Sequence, residues 1–397
     1  MRTLAPFGPM DLAVSGLDGP GSDPDLGPQG PITHYDGGLI LSGSIGRGHD
    51  SVAEACRVAL GRFGMDARTL DCMGLLGGAG SRAGTTVFRR LISVPTVYDG
   101  FHFSHLRTGS RLARALDQAA NRRLVPAVDA ELGDGRQLVV SVFPTGVAAA
   151  GAIARRTRRT TAVAVCTDAS AHRMWVAEGT ELYVVCSHLA AATLRRYDPG
   201  AAISVVPPPV RPEIFGAPGR RPARAALGVP DDAPCVLLMA GGWGLGPLAE
   251  AADALAERGY WVLAVAGTNE RLRQRLSAIA QRRRRVVAFG MTERVPELMA
   301  AADTVVTTPG QTCHEARVVG RWLVVLDAVP GPGRENALHE LETGGALACS
   351  PDAESIASAV GVMFDEQPEL APWPVASAEE WEKHFIGALA SVDAAPA

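Results

Sequence analysis

Lysine is almost absent from this chain of 397 residues: Lys383 is the only one, and arginine supplies the rest of the 38 basic side chains. So uniform a choice reads as genomic base composition, not mechanism. Against 42 acidic residues the net charge is −4, which excludes the basic footprint of a whole-molecule nucleic-acid binder. Long apolar runs are missing too. No stretch of about 18 apolar residues occurs, so no membrane-spanning helix is expected. The N-terminus lacks a basic segment followed by an apolar one, so no signal peptide is expected. The seven cysteines form no Cys-x-x-Cys pair. Cys166, Cys186 and Cys235 sit inside apolar runs and read as buried hydrophobes in a reducing compartment. A cytoplasmic protein that can touch a membrane from that side is expected.

Two nucleotide motifs are also lacking. There is no Gly-x-x-x-x-Gly-Lys-Ser/Thr loop, and no Gly-x-Gly-x-x-Gly with an acidic residue at the usual distance. Phosphate-loop NTPases and nicotinamide enzymes are therefore disfavoured. No Asp-x-Asp pair ends a strand, and Asp231-Asp232 lies in a surface turn.

What is present fits an α/β protein of two domains, with 47% hydrophobic and 20% charged residues. The charge is uneven. Residues 37–215 hold 21 Arg against 14 Asp plus Glu, a balance of +7, so the rest carries −4 − 7 = −11. This asymmetry suits an anionic partner such as a membrane surface or a phosphate, or it is a solvated feature without a partner. Residues 1–36, rich in Gly, Pro and Asp, are expected to be a disordered tail.

The pattern predicts a first Rossmann-like domain over 37–212 and a second over 213–375, with a C-terminal helix and tail over 376–397. Apolar runs at 38–42, 138–142, 161–166, 182–186 and 203–206 read as buried strands. Helical segments at 110–124 and 147–156 separate some of them, which means a parallel sheet. After Pro207-Pro208-Pro209-Val210-Arg211-Pro212 the pattern restarts. Strands are expected at 235–239, 261–266, 286–289, 304–307 and 322–326, with helices between them.

The candidate chemistry lies in loops after strand ends. Ser44-Ile45-Gly46-Arg47-Gly48-His49 follows the first strand and opens a helix, with Asp50-Ser51 offering N-cap chemistry. His49 sits where a general base or a phosphate contact would sit, or is a packing residue. Asp168 follows the strand ending at Cys166, with His172 and Trp175 beyond it. It reads as a proton acceptor, a partner for a His, or a helix N-cap. Trp175 reads as core or a stacking wall. Gly241-Gly242 offers backbone N–H groups to a diphosphate. Gly310-Gln311-Thr312 opens a helix in which Glu315 can reach a ribose or simply complement the helix dipole. Glu335 and Asn336 can bond sugar hydroxyls or cap a helix.

In order and spacing these pieces resemble the monogalactosyldiacylglycerol synthase and processive diacylglycerol glucosyltransferase family. The resemblance runs from about Leu39 to about Ala348. Its pieces are Gly46 to His49, Val142-Phe143-Pro144, Thr167-Asp168 with His172 and Trp175, Gly241-Gly242, Gly267 with Asn269, Phe289-Gly290-Met291, Pro309-Gly310 through Glu315-Ala316, and Pro330-Gly331 with Glu335-Asn336-Ala337. It implies a glycosyltransferase of the B fold, acting on a UDP-sugar without a metal or other cofactor. Phe289 to Met291 would hold the uracil, Glu315 the ribose, and Gly310 to Thr312 the diphosphate. Glu335 and Asn336 would face the sugar. His49 would face the acceptor as catalytic base or its partner, with Asp168 the second candidate.

Two departures matter. Where many members carry Pro-Gly-Gln-Glu, this chain has Pro330-Gly331-Pro332-Gly333, which leaves the donor sugar open. The segment from Cys72 to Arg111 mixes Arg with aromatics (Phe88, Arg89, Arg90, Tyr98, Phe101, Phe103), which suits an anionic membrane interface or an aromatic small-molecule pocket. The expected reaction is inverting hexose transfer to a lipid hydroxyl such as that of diacylglycerol. Its rivals are transfer to a soluble secondary metabolite, UDP-sugar epimerisation, and non-catalytic UDP-sugar sensing.

Overall fold

The computed structural model describes residues 32, 34–43, 48–76, 99–241, 244 and 246–393. Two parallel sheets organise it. The first is built from β1 (Gly37–Ser42), β2 (Ala67–Asp71), β3 (Gln137–Ser141), β4 (Thr160–Cys166), β5 (Thr180–Val185) and β6 (Ile203–Val205), in the order β2-β1-β3-β4-β5-β6. The second is built from β7 (Cys235–Met239), β8 (Trp261–Val265), β9 (Val286–Phe289), β10 (Thr304–Thr307), β11 (Trp322–Leu326) and β12 (Ala346–Cys349), in the order β12-β11-β10-β7-β8-β9. Strands β3, β4 and β7 are buried along their whole length. Their apolar stretches, Leu138–Val140, Ala162–Cys166 and Cys235–Met239, follow from that, because helices cover both faces of a parallel sheet.

Each sheet changes direction once, between β1 and β3 and between β7 and β10. Loops at such points part and leave a crevice beyond the strand ends. The loops carrying His49 and Gly310 leave β1 and β10 at these two points.

The C-terminal helix Ala378–Asp393 returns to the first domain. Trp381, Phe385, Ile386 and Leu389 lie on one helical face and enter the core formed by Val52, Cys56, Val163 and Val184. Each such side chain contributes about 1.5–3 kcal/mol by leaving water. The Trp381 indole N–H also donates to the carbonyl of Pro207 at 2.8 Å, and Arg62 bridges Glu379 and Glu382.

Three expectations change. Within the expected tail 1–36, Ile32 is fully buried and Tyr35 nearly so, both in the first core, while residues 1–31 lie outside the described residues. The first helix begins at Gly48, so Asp50 lies inside its first turn and accepts from the Ser42 hydroxyl at 2.9 Å, not as an N-cap. The edge strands β2 and β12 escape the apolar-run reading because they are only partly buried.

Candidate functional site

The loop after β1, expected to face the acceptor, ends at Gly48, exposed at the helix start, followed by half-buried His49. Gly46, with Ser44, Ile45 and Arg47, lies outside the described residues, as do Gly242, Phe88, Arg89, Arg90 and Tyr98. The chain passes close under β3 at Gly43, where a Cβ would come within 2.5 Å of the Phe143 ring. That ring packs edge-on against His49, with centroids 5.1 Å apart. His49 Nδ1 lies 2.9 Å from the carbonyl of Val142. A carbonyl only accepts, so Nδ1 carries the proton and Nε2 of the neutral ring is left as a base. Burial lowers the ring's pKa from its ordinary 6.5, against the opposing pull of the Asp168 charge.

Asp168 is held from behind. The indole N–H of Trp175 donates to its Oδ2 at 2.7 Å, and His172 Nε2 is 3.5 Å from the same oxygen. Trp175 is fully buried, so it is core and not an exposed stacking wall, and its indole N–H orients the carboxylate. His172 is nearly buried and accepts the Met174 N–H at 3.3 Å, which makes it the cap of a short turn. His102 meets it edge-on, 5.5 Å between centroids. Burial pushes both imidazoles down to about 4, so both are neutral at ordinary pH.

The opposite wall comes from the second domain. Gly310, at φ 147°, precedes the helix Gln311–Val318, and no side chain caps it. A residue with a Cβ would be strained there. The first N–H groups of such a helix have no intrahelical acceptor and favour an anion. Gln311 donates its side-chain amide to Pro209, and Arg211 Nε donates to Glu315 Oε1 at 2.7 Å. Both contacts tie this helix to the segment between the domains. Burial pushes the Glu315 carboxyl up, with the Arg211 bond opposing. Beneath, Arg317 pairs with Glu340 at 2.7 Å, both nearly buried.

A cavity of about 960 Å³ separates these walls, lined by Gly48, His49, Asp168, Gly310, Gln311 and Asn336 among others. Asn336 Oδ1 accepts the Ala169 N–H at 2.9 Å, which turns its amide NH₂ away as a free donor group. The remaining expected donor-side residues stand elsewhere. Asn269 caps the helix Glu270–Arg282, accepting from Leu272 N–H at 3.1 Å. Gly241 and Gly267 have φ of 62° and 59° and serve their turns. Phe289 lies under Arg294, and Met291 is 49% exposed. Thr312 lies in the first turn of the helix Gln311–Val318. Glu335, expected to face a sugar, instead pairs with Arg107 of the first domain and lies 3.8 Å from His102.

Sequence reasoning missed Asp99, His102, Arg107, Arg211 and His314. Arg107 and His102 fell in the segment read for membrane contact, and their partners lie in the other domain. Only His314 had a legible signal: it sits one turn into the helix that Gly310 opens, and it lines the cavity.

No family model matches the chain. Curated relatives do. The chain is 27% identical over 255 residues, 62% of its length and 65% of the relative's, to a processive diacylglycerol beta-glucosyltransferase of Bacillus subtilis (strain 168). It is 31% identical over 214 residues, half of its length and 39% of the relative's, to a probable chloroplastic monogalactosyldiacylglycerol synthase of Nicotiana tabacum. Neither match reaches two thirds of the relative's own length. By sequence, the chain is similar to the diacylglycerol glycosyltransferases. The crystal structure of Acinetobacter baumannii MurG aligns with a TM-score of 0.54 at 14% identity, covering 90% of this chain and 98% of that one. The fold is the two-domain B fold of glycosyltransferases.

Proposed function

We propose that the chain transfers a hexose from a UDP-sugar to a hydroxyl of a lipid such as diacylglycerol, with inversion at the anomeric carbon. The observation that carries this is His49 on the cavity wall, its Nδ1 proton spent on Val142 so that Nε2 is a neutral base, opposite the uncapped helix start at Gln311. The acceptor oxygen bonds to the anomeric carbon as the bond to the UDP oxygen breaks. The acceptor proton passes to His49 Nε2. The charge that builds on the departing diphosphate meets the helix N–H groups. Asn336 offers its NH₂ to the sugar, and Glu315 is the acceptor for ribose hydroxyls. Asp168 supports the imidazolium that forms, being the charge that raises the His49 pKa.

The names of the curated relatives support a lipid acceptor. So does the helix Arg111–Asp129. Leu112 and Leu116 are about half exposed on it, beside exposed Arg111, Arg114, Arg122 and Arg123. An apolar strip among cations suits an anionic membrane surface. No helix of the described residues is long and apolar enough to cross a membrane. The donor chemistry is assigned without metal, so turnover in EDTA is expected to equal turnover in Mg²⁺.

The test is UDP release from each of UDP-glucose, UDP-galactose and UDP-N-acetylglucosamine, with and without diacylglycerol in anionic vesicles. Release that depends on the lipid is expected. Conversion of one UDP-sugar to another, or binding without release, would refute transfer. Failure to pellet with anionic vesicles, together with transfer to a soluble aglycone, would replace the lipid acceptor.

A further inference from the structure

The segment that carries Asn336 is fastened to the first domain at several points. Gly331, at φ 68°, directs its backbone N–H to Asp99 Oδ1 at 2.6 Å. The other Asp99 oxygen lies 3.2 Å from Arg334 Nε. Arg107 pairs with Glu335, whose side chain is 14% exposed. The second Glu335 oxygen is buried without a hydrogen-bond partner. A carboxylate so placed costs free energy unless a cation is beside it, and Arg107 is that cation. One residue on, the Asn336 side chain accepts from Ala169 beside Asp168. Thus residues next to the expected acceptor region hold the segment that faces the cavity.

We propose that Asp99 and Arg107 are positioning residues of the donor site: they latch the 330–336 segment to the first domain and so fix Asn336 in the cleft. The sugar-facing part of the site is then complete only when both domains are together. Glu335 acts in this latch and not on the sugar. The role of Asn336 rests on the donor reading above; the latch itself does not.

The experiment uses the full chain as wild type, Arg107→Glu, Glu335→Arg and the double reversal. Small-angle scattering without ligand reads closure. Calorimetry reads affinity for UDP and for the three UDP-sugars. Each single reversal is expected to enlarge the radius of gyration and to abolish, by tenfold or more, the affinity gained from the sugar, while UDP alone binds within twofold of wild type. The double reversal is expected to restore both readouts to within threefold. Single variants that scatter and bind like wild type, or a double variant no better than the singles, would overturn the latch. Scattering that responds as stated in a protein that binds no UDP compound would uphold the latch and refute the donor reading. Should the reversals not fold, Arg107→Gln and Asp99→Asn carry the same two readouts.

Discussion

The two walls of the cleft use different materials. The first domain presents acid–base side chains: His49 and Asp168 on the cavity, with His172 and His102 packed behind them. The second presents backbone where its helix starts, a glycine at φ 147° and an uncapped first turn, beside the Asn336 side-chain amide, with His314, His339 and Glu340 further along the same cavity. The difference follows the chemistry each wall is given. Removing a proton needs a group whose charge can change, and its pKa has to be tuned by burial and a neighbouring carboxylate. Holding a diphosphate needs fixed donors whose charge does not depend on pH.

That contrast can be broken most sharply at His49. His49→Ala is expected to lower turnover by about 10²–10⁴-fold while UDP affinity stays within twofold. An equal loss in both would erase the division of labour. Asp168→Asn comes next, with a loss of about a hundredfold, the low end of general-base effects. The Asp168 charge raises the His49 pKa, so the acid limb of kcat/KM moves to lower pH in this variant. A shift toward higher pH would contradict the assignment. On the donor wall, Glu315→Gln is expected to weaken UDP binding about tenfold, the scale of a lost charged hydrogen bond, with kcat little changed. A fall in kcat at constant affinity would move Glu315 to the chemical step.

Stability against pH is the mildest probe. The folded pKa values of His102 and His172 lie near 4, below the ordinary 6.5. The unfolded chain therefore binds more protons in that window, and stability falls as pH drops from 6.5 toward 4. Above 6.5 these rings contribute no pH dependence. Urea midpoints across this range check the sign, and His102→Asn is expected to flatten the slope.

Much of the fold is legible in the sequence because buried parallel strands carry apolar runs, unbroken in Cys235–Met239 and Trp322–Leu326. The edges were not. Ala67–Asp71 alternates no clear pattern and pairs on one side only. In the site, His49 and Asp168 were readable because each follows a strand end by a few residues. The contacts of Glu335 and Glu315 were not. A carboxylate near a helix start looks alike whether or not it already holds an arginine from the linker or the other domain. Trp175 was ambiguous for a similar reason: only its indole N–H on Asp168 distinguishes an orienting residue from simple core.

The central claim, a UDP-sugar held between His49 and the helix start at Gln311, is tested most directly by thermal unfolding with UDP-glucose, UDP-galactose, UDP-N-acetylglucosamine and UDP. A ligand bound only by the native state raises stability with the logarithm of its concentration over Kd. The account predicts such a rise for UDP and at least one UDP-sugar, retained in His49→Ala. No rise with any UDP compound at millimolar concentration would contradict it.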